Sequence, residues 1–172
     1  MINNVKVSST GSTSSLTNNQ QKAVTHTFFD TPTLGSIVWS YFPNEEAPAE
    51  GERPARPKPR PTLVVGVTVE DGKPYVIAIP GTSQRTEPEN VYPTEIVIRK
   101  TDPDYVFTGL SHDTKFKFER RLKLPYSSEY FAIPNRKPGS KENPTTPRLG
   151  IISWSYVEAI RQAAAIANGQ IN

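Results

Sequence analysis

Apolar positions in this chain fall into short blocks parted by long polar and proline-rich runs, and only the last block has helical spacing. In GSIVWSYF (35–42), Ile37, Trp39 and Tyr41 alternate with Val38, Ser40 and Phe42, the spacing of a strand with two different faces. TLVVGVTV (62–69) is the most apolar block and predicts a central strand. Asp71-Gly72 is a hairpin signal, and PYVIAI (74–79) predicts the returning strand of an antiparallel meander. Pro80-Gly81 is expected to stop that strand, and Thr82, Ser83 and Gln84 follow: two hydroxyls and an amide in a row. Such residues make turns. They also place three hydrogen-bonding side chains at the end of a core strand, so a plain turn and a functional site are both open here.

TEIVIR (94–99) predicts a further strand. KFKFERRLKL (115–124) alternates over its whole length, with Phe116, Phe118, Leu122 and Leu124 sharing one face with Arg120. Lys115, Lys117, Glu119, Arg121 and Lys123 line the other face, as expected for a sheet whose outer side meets water or a charged ligand. At the C-terminus VEAIRQAAAIAN predicts a helix, with Ser155 and Glu158 as a capping box, Trp154 stapling the entry and Gly169 ending it. Val157, Ile160, Ala164 and Ala167 form its apolar stripe. Five or more short strands closing on themselves, plus one C-terminal helix, make a mainly β fold, a small antiparallel barrel.

The polar runs set the domain plan. Residues 1–25 are mostly Ser, Thr, Asn and Gln and cannot offset the entropy of ordering, so a flexible arm is expected there. Residues 26–172 are expected to form a single domain. The run 43–61 holds six prolines and reads as an extended loop, and 134–148 as a second proline-rich loop. With 17 prolines and 35% hydrophobic residues in 172, the core is modest and its appendages are polar.

Composition removes several chemistries. There is no cysteine, hence no disulfide, no thiolate metal site and no thiol nucleophile. The two histidines, His26 and His112, do not stand at metal-binding spacing, no HExxH occurs, and neither a metal nor a cofactor is expected. A GxSxG elbow and a phosphate-cradling glycine loop are also missing. No apolar run is long enough to span a membrane and the N-terminus has no secretory h-region, so a soluble cytoplasmic protein is expected. The net charge of +3 is mild, but cations cluster. Arg53, Arg56, Lys58 and Arg60 are opposed only by Glu52; Lys115, Lys117, Arg120, Arg121 and Lys123 only by Asp113 and Glu119. Each cluster is either solvated surface or the footprint of a polyanion such as nucleic acid.

Three motifs and the C-terminal helix then stand in a meaningful order: GSIVWSYFP (35–43), KPRPTLVV (58–65) and VIAIPGTSQ (76–84). This arrangement resembles the MazF/PemK family of toxins from toxin–antitoxin systems, over roughly residues 35 to 168. The resemblance implies an SH3-like barrel, a homodimer, an acidic antitoxin as partner and metal-independent cleavage of single-stranded RNA by the ribose 2′-hydroxyl. Arg60 matches the family's Arg of Arg-Pro, where a guanidinium before a rigid proline can grip the scissile phosphate in a bidentate way. Thr82 matches the Thr of Thr-Ser and would donate to the same phosphate, with Ser83 and Gln84 touching phosphate or base. Lys58 and the face of Lys117, Arg121 and Lys123 are expected to contact RNA backbone.

The acid and base follow a Thr-Gly step in some relatives as an Arg and an Asp. Here Thr108-Gly109 precedes LSHDTKF, and His112 stands where the Arg is expected. A histidine trades protons near neutral pH. Asp113 would orient it or be the base itself; a surface histidine beside a turn-forming Asp is the plain alternative. Both proline-rich loops are longer than a minimal member needs, and would reshape the RNA groove or bind a partner. A reading from another class is a non-catalytic nucleic-acid- or protein-binding barrel, including a gyrase poison resembling CcdB. Those relatives use an aromatic C-terminal tail, which Ala167 to Asn172 lack.

Overall fold

Seven strands and two α-helices order the described residues: β1 (Ser36–Ser40), β2 (Arg60–Glu70), β3 (Lys73–Thr82), β4 (Glu95–Ile98), α1 (Tyr105–Thr108), β5 (Thr114–Lys117), β6 (Leu122–Pro125), β7 (Arg148–Ile151) and α2 (Val157–Ala167). The structure, a computed structural model, describes residues 25–43, 57–135, 139 and 141–170. The expected arm (all but Thr25), residues 44–56 of the first proline-rich loop, with Arg53 and Arg56, and residues 136–138 and 140 of the second lie outside the described residues.

The β2–β3 hairpin is the spine. Asp71 and Gly72 both take positive φ (50° and 71°), the geometry that a tight Asp-Gly turn supplies. All pairings are antiparallel: β1 on β2, β7 on β1, then β5 and β6 on the far edge of β3, and β4 on β5. The result is the expected mainly β architecture with a C-terminal helix. The hydrogen-bonded path runs from β4 to β7 and stays open rather than closing on itself.

The unbroken apolar character of TLVV follows from burial on both faces of the central strands. Consecutive strand residues point to opposite sides, so Ile37, Leu63 and Ile79 enter one core with Ile96, Phe116 and Ala163 of α2. Val38, Val64 and Ala78 enter a second, with Leu124, Tyr126 and Phe131. Each fully buried aliphatic side chain contributes about 1.5–3 kcal/mol.

Three expectations are corrected. Pro80-Gly81 does not stop β3, which runs on to Thr82, with Pro80 opposite Thr62 and Gly81 opposite Phe116. A Cβ at position 81 would lie 2.8 Å from the Pro61 carbonyl oxygen and 2.9 Å from Thr114 Cγ2, so only glycine lets both neighbours close in. The run 115–124 is not one strand, because a 3-10 turn at Phe118–Arg120 divides it and breaks the alternation. Leu122 consequently emerges at the surface while Lys115 turns inward, 2% exposed. There its Nζ sits 3.1 Å from Glu95 Oε2 and donates to the Asn90 carbonyl at 2.7 Å, and the Tyr92 N–H also donates to Oε2. A buried cation is tolerated because its charge and its hydrogen bonds are met.

The third correction concerns α2. No capping box forms: Ser153 Oγ accepts from the Ser155 N–H, Ser155 Oγ donates to Asp104, and Glu158 pairs with Arg161. A 3-10 turn (Trp154–Tyr156) leads into the helix, and Trp154 is 87% exposed, so it staples nothing. Ile160, Ala164 and Ala167 do face the core, joined by Ala163.

Burial has a consequence at high pH. Tyr126 packs edge-on against Phe29 and Phe131 in the second core, and desolvation pushes its phenol up to about 12, with Arg148 pulling the other way. A raised native pKa means stability is complete below the unfolded value near 10 and is lost as pH climbs from there through 12. Tyr156 and Tyr105, also raised by burial, act in the same direction. Replacing Tyr126 with Phe should flatten the loss of stability between about pH 10 and 12 by up to about 2.7 kcal/mol. Denaturant midpoints across that range measure it, and an unchanged slope in the variant would contradict the assignment.

Candidate functional site

The first strand-end residues gather around one open cavity of about 870 Å3. Arg60 opens β2 opposite Ser40, and Pro61 lies opposite Trp39, so Arg60 and Trp39 reach the cavity from adjacent strands. Beneath them Ser40 Oγ and Thr62 Oγ1 share a buried hydrogen bond of 2.5 Å, which ties the two strand ends together. Thr82 closes β3 at the same rim. Its Oγ1 accepts from the Gln84 N–H at 3.2 Å, a local turn that fixes the hydroxyl and leaves its proton for a ligand. Arg85, with φ 52°, then turns the chain away.

The facing wall comes from the loop after α1. Gly109 takes φ 70°, and a Cβ there would lie 2.1 Å from the Leu149 carbonyl oxygen. That close backbone contact seats the loop carrying His112 against β7. His112 is exposed on the cavity rim, and its carbonyl accepts from Thr114 Oγ1 at 2.8 Å.

Of the residues expected from the sequence, Lys58, Arg60, Thr82, Ser83, Gln84 and His112 all line this cavity. Asp113, Lys117, Arg121 and Lys123 do not. Asp113 Oδ1 accepts from the Lys100 N–H at 2.8 Å and Oδ2 lies 3.7 Å from Arg99, so it braces the loop from behind. Lys117 pairs with Glu95 at 3.6 Å. Lys123 pairs with Glu70 and lies over the Tyr75 ring, and its hydrogen bond holds the Glu70 carboxyl below the usual range.

Sequence reasoning did not single out Trp39, Asn135, Glu142, Asn143 and Arg148 as site residues, all of which line the cavity. Glu142 is the one carboxylate among the described lining residues. The chain touches β1 on both sides of this region: the Trp39 N–H donates to the Pro147 carbonyl at 2.8 Å and the Ala132 N–H to the Trp39 carbonyl at 3.0 Å. The four-residue strand RLGI that delivers Arg148 is too short for a periodicity signal, and its partner β1 is over a hundred residues away.

Among the described lining residues the cations outnumber the carboxylate. Lys58, Arg60 and Arg148 have no ion-pair partner among the described residues, whereas Lys115, Lys117, Lys123 and Arg99 each have one. Three cations, four hydroxyls (Thr82, Ser83, Ser111 and Thr114), amides, an indole, an imidazole and one carboxylate around a wide opening can hold an anion, donate to its oxygens and exchange a proton beside it. Among the described residues no three His, Asp or Glu side chains come together to hold a metal ion. No helix among them is long and apolar enough to cross a membrane.

No family model matches the sequence. No curated protein matches it either. A comparison of structures finds an endoribonuclease in complex with its cognate antitoxin from Mycobacterial species, with TM-score 0.47 and 16% identity, covering 83% of this chain and 99% of that one.

Proposed function

We propose that this protein is an endoribonuclease of the toxin–antitoxin kind that cuts single-stranded RNA through the ribose 2′-hydroxyl, without a metal. The observation that carries the reading is the set of cations around one cavity that have no ion-pair partner among the described residues, beside a hydroxyl and an imidazole. Polyanion binding needs cations that are not already neutralised. In the proposed step a base removes the 2′-hydroxyl proton, the 2′-oxygen bonds to phosphorus, the P–O5′ bond breaks and an acid protonates the departing 5′-oxygen. The products are a 2′,3′-cyclic phosphate and a 5′-hydroxyl. Arg60 neutralises the phosphorane, Thr82 donates to one of its oxygens, and Ser83, Gln84 and Lys58 hold the flanking chain.

His112 exchanges the proton, and Asp113 positions its loop by holding the Lys100 N–H and Arg99. The same cationic cavity suits an acidic antitoxin segment, and the resemblance to MazF/PemK toxins supports a homodimer. Lys117, Arg121 and Lys123 would at most touch RNA beyond the cavity.

Incubation with a long single-stranded RNA in EDTA tests the reading: cleavage with 2′,3′-cyclic phosphate ends is expected, and none at a site carrying a single 2′-deoxy substitution. Intact RNA after prolonged incubation would sink it. His112→Asn tests the proton transfer separately. At saturating RNA the variant should lose rate together with the pH dependence of the wild-type step. A variant that keeps both makes His112 a bystander.

A further inference from the structure

The cavity has two cationic poles, and the proposed cleavage step uses only one. Arg60 and Lys58 stand at the start of β2, on one flank of β1; Arg148 opens β7, on the other flank. With neighbouring strands about 4.8 Å apart, their backbones are separated by roughly 10 Å. Trp39 of β1 also lines this cavity. Arg148 makes no side-chain hydrogen bond or ion pair among the described residues; its backbone pairs with Val38 in the β1–β7 ladder and its N–H donates to Thr146 Oγ1 at 3.4 Å. A volume of about 870 Å3 is near the top of the roughly 300–1,000 Å3 range of small-ligand sites, far more than one phosphate fills.

Resting on the reading of the cavity as an RNA site, we infer that Arg148 is the anchor of a second phosphate, so that the substrate is held at two poles with one base stacked on Trp39, which lines the same cavity. Stacking on an aromatic ring is how single strands are held without base pairing, at a cost of about 1–3 kcal/mol when the ring is removed. Asn135 and Asn143 line the same cavity, with their amides available to a base edge. The consequence is a length requirement. A ligand with a single phosphate occupies only the Arg60 pole, and a ligand with several engages both.

The test uses uncleavable 2′-O-methyl ligands, a dinucleotide with one phosphate and a tetranucleotide with three, bound to the full chain. Trp154 is replaced by Phe, which leaves Trp39 as the sole tryptophan reporter; Trp154 is surface-exposed and outside the cavity. Arg148→Gln should weaken the tetranucleotide about tenfold or more and leave the dinucleotide unchanged. It should also lower the slope of log affinity against log salt by about 0.7, one single-strand phosphate contact. Arg148→Lys should keep that slope, and both variants should melt with the parent, since the side chain holds nothing in the fold.

Equal weakening of both ligands would place Arg148 on the same phosphate as Arg60 and overturn the two-pole arrangement. So would an Arg148→Gln variant with unchanged affinity and slope; if Arg60→Gln still weakens both ligands there, the RNA reading survives and the second pole alone is lost. Ligands that leave Trp39 fluorescence untouched remove both.

Discussion

Lys115→Ala should lower folding stability by about 3–5 kcal/mol, the scale for stripping one partner from a buried ion pair. Total stability of a domain is only about 5–15 kcal/mol, so the variant stands near the edge of unfolding. The cause is geometric. Glu95 and Lys115 side chains are 4% and 3% exposed, and the ammonium also satisfies the Asn90 carbonyl. Without it the Glu95 carboxylate keeps only the Tyr92 N–H and the more distant Lys117, 3.6 Å away and partly in water. Lys117 can move closer, which favours the lower end of the range. Denaturant midpoints measure the effect. The double variant Lys115→Met with Glu95→Leu should regain most of the loss, because an apolar pair of similar volume is near neutral in such a place. Lys117→Ala, which leaves the buried pair intact, should cost under about 1 kcal/mol. A Lys115→Ala midpoint close to wild type would mean the pair is wet and the β4–β5 edge loose.

The same residue shows where the sequence misleads. Strict alternation in KFKFERRLKL is a sound strand signal, and both halves of it do pair with β3. What alternation cannot show is a 3-10 turn in the middle, which Phe118 forms on its way into the core. Nor can it show that Glu95, twenty residues earlier, waits to receive Lys115. The hairpin was legible because Asp71-Gly72 dictates its own geometry, and the double-faced apolar run in β2 because burial on both sides leaves no polar stripe. Half of the cavity was legible for the same local reason: Arg60 and Thr82 sit at the ends of strands that announce themselves. The other half was not. Trp39 reads equally well as core, and Arg148 reaches the cavity only through a β1–β7 pairing across the whole domain, which no window of sequence contains.

Arg60→Ala should reduce RNA cleavage by about 10²–10³-fold, or about 2.7–4 kcal/mol of transition-state stabilisation, with the fold intact. The size follows from preorganisation. As the first residue of β2, Arg60 is held in register with Ser40, and the Ser40–Thr62 hydrogen bond locks the strands behind it. Pro61 fixes the backbone on its other side. The guanidinium therefore meets the extra charge of the phosphorane without first having to be ordered, and it is not diverted by any acid among the described residues. For the same reason its removal leaves no buried partner stranded, so the melting temperature should not move. Arg60→Lys should recover only part of the rate, because a point charge cannot make the two parallel hydrogen bonds of the planar fork. Arg85→Ala, which removes an exposed cation outside the cavity, should cut RNA at the wild-type rate. Single-turnover rates at saturating RNA separate these outcomes from changes in binding. If Arg60→Ala cleaves within about threefold of wild type while Arg85→Ala does the same, the guanidinium is one more solvated charge at a loop end, and the phosphate must be held elsewhere on the rim.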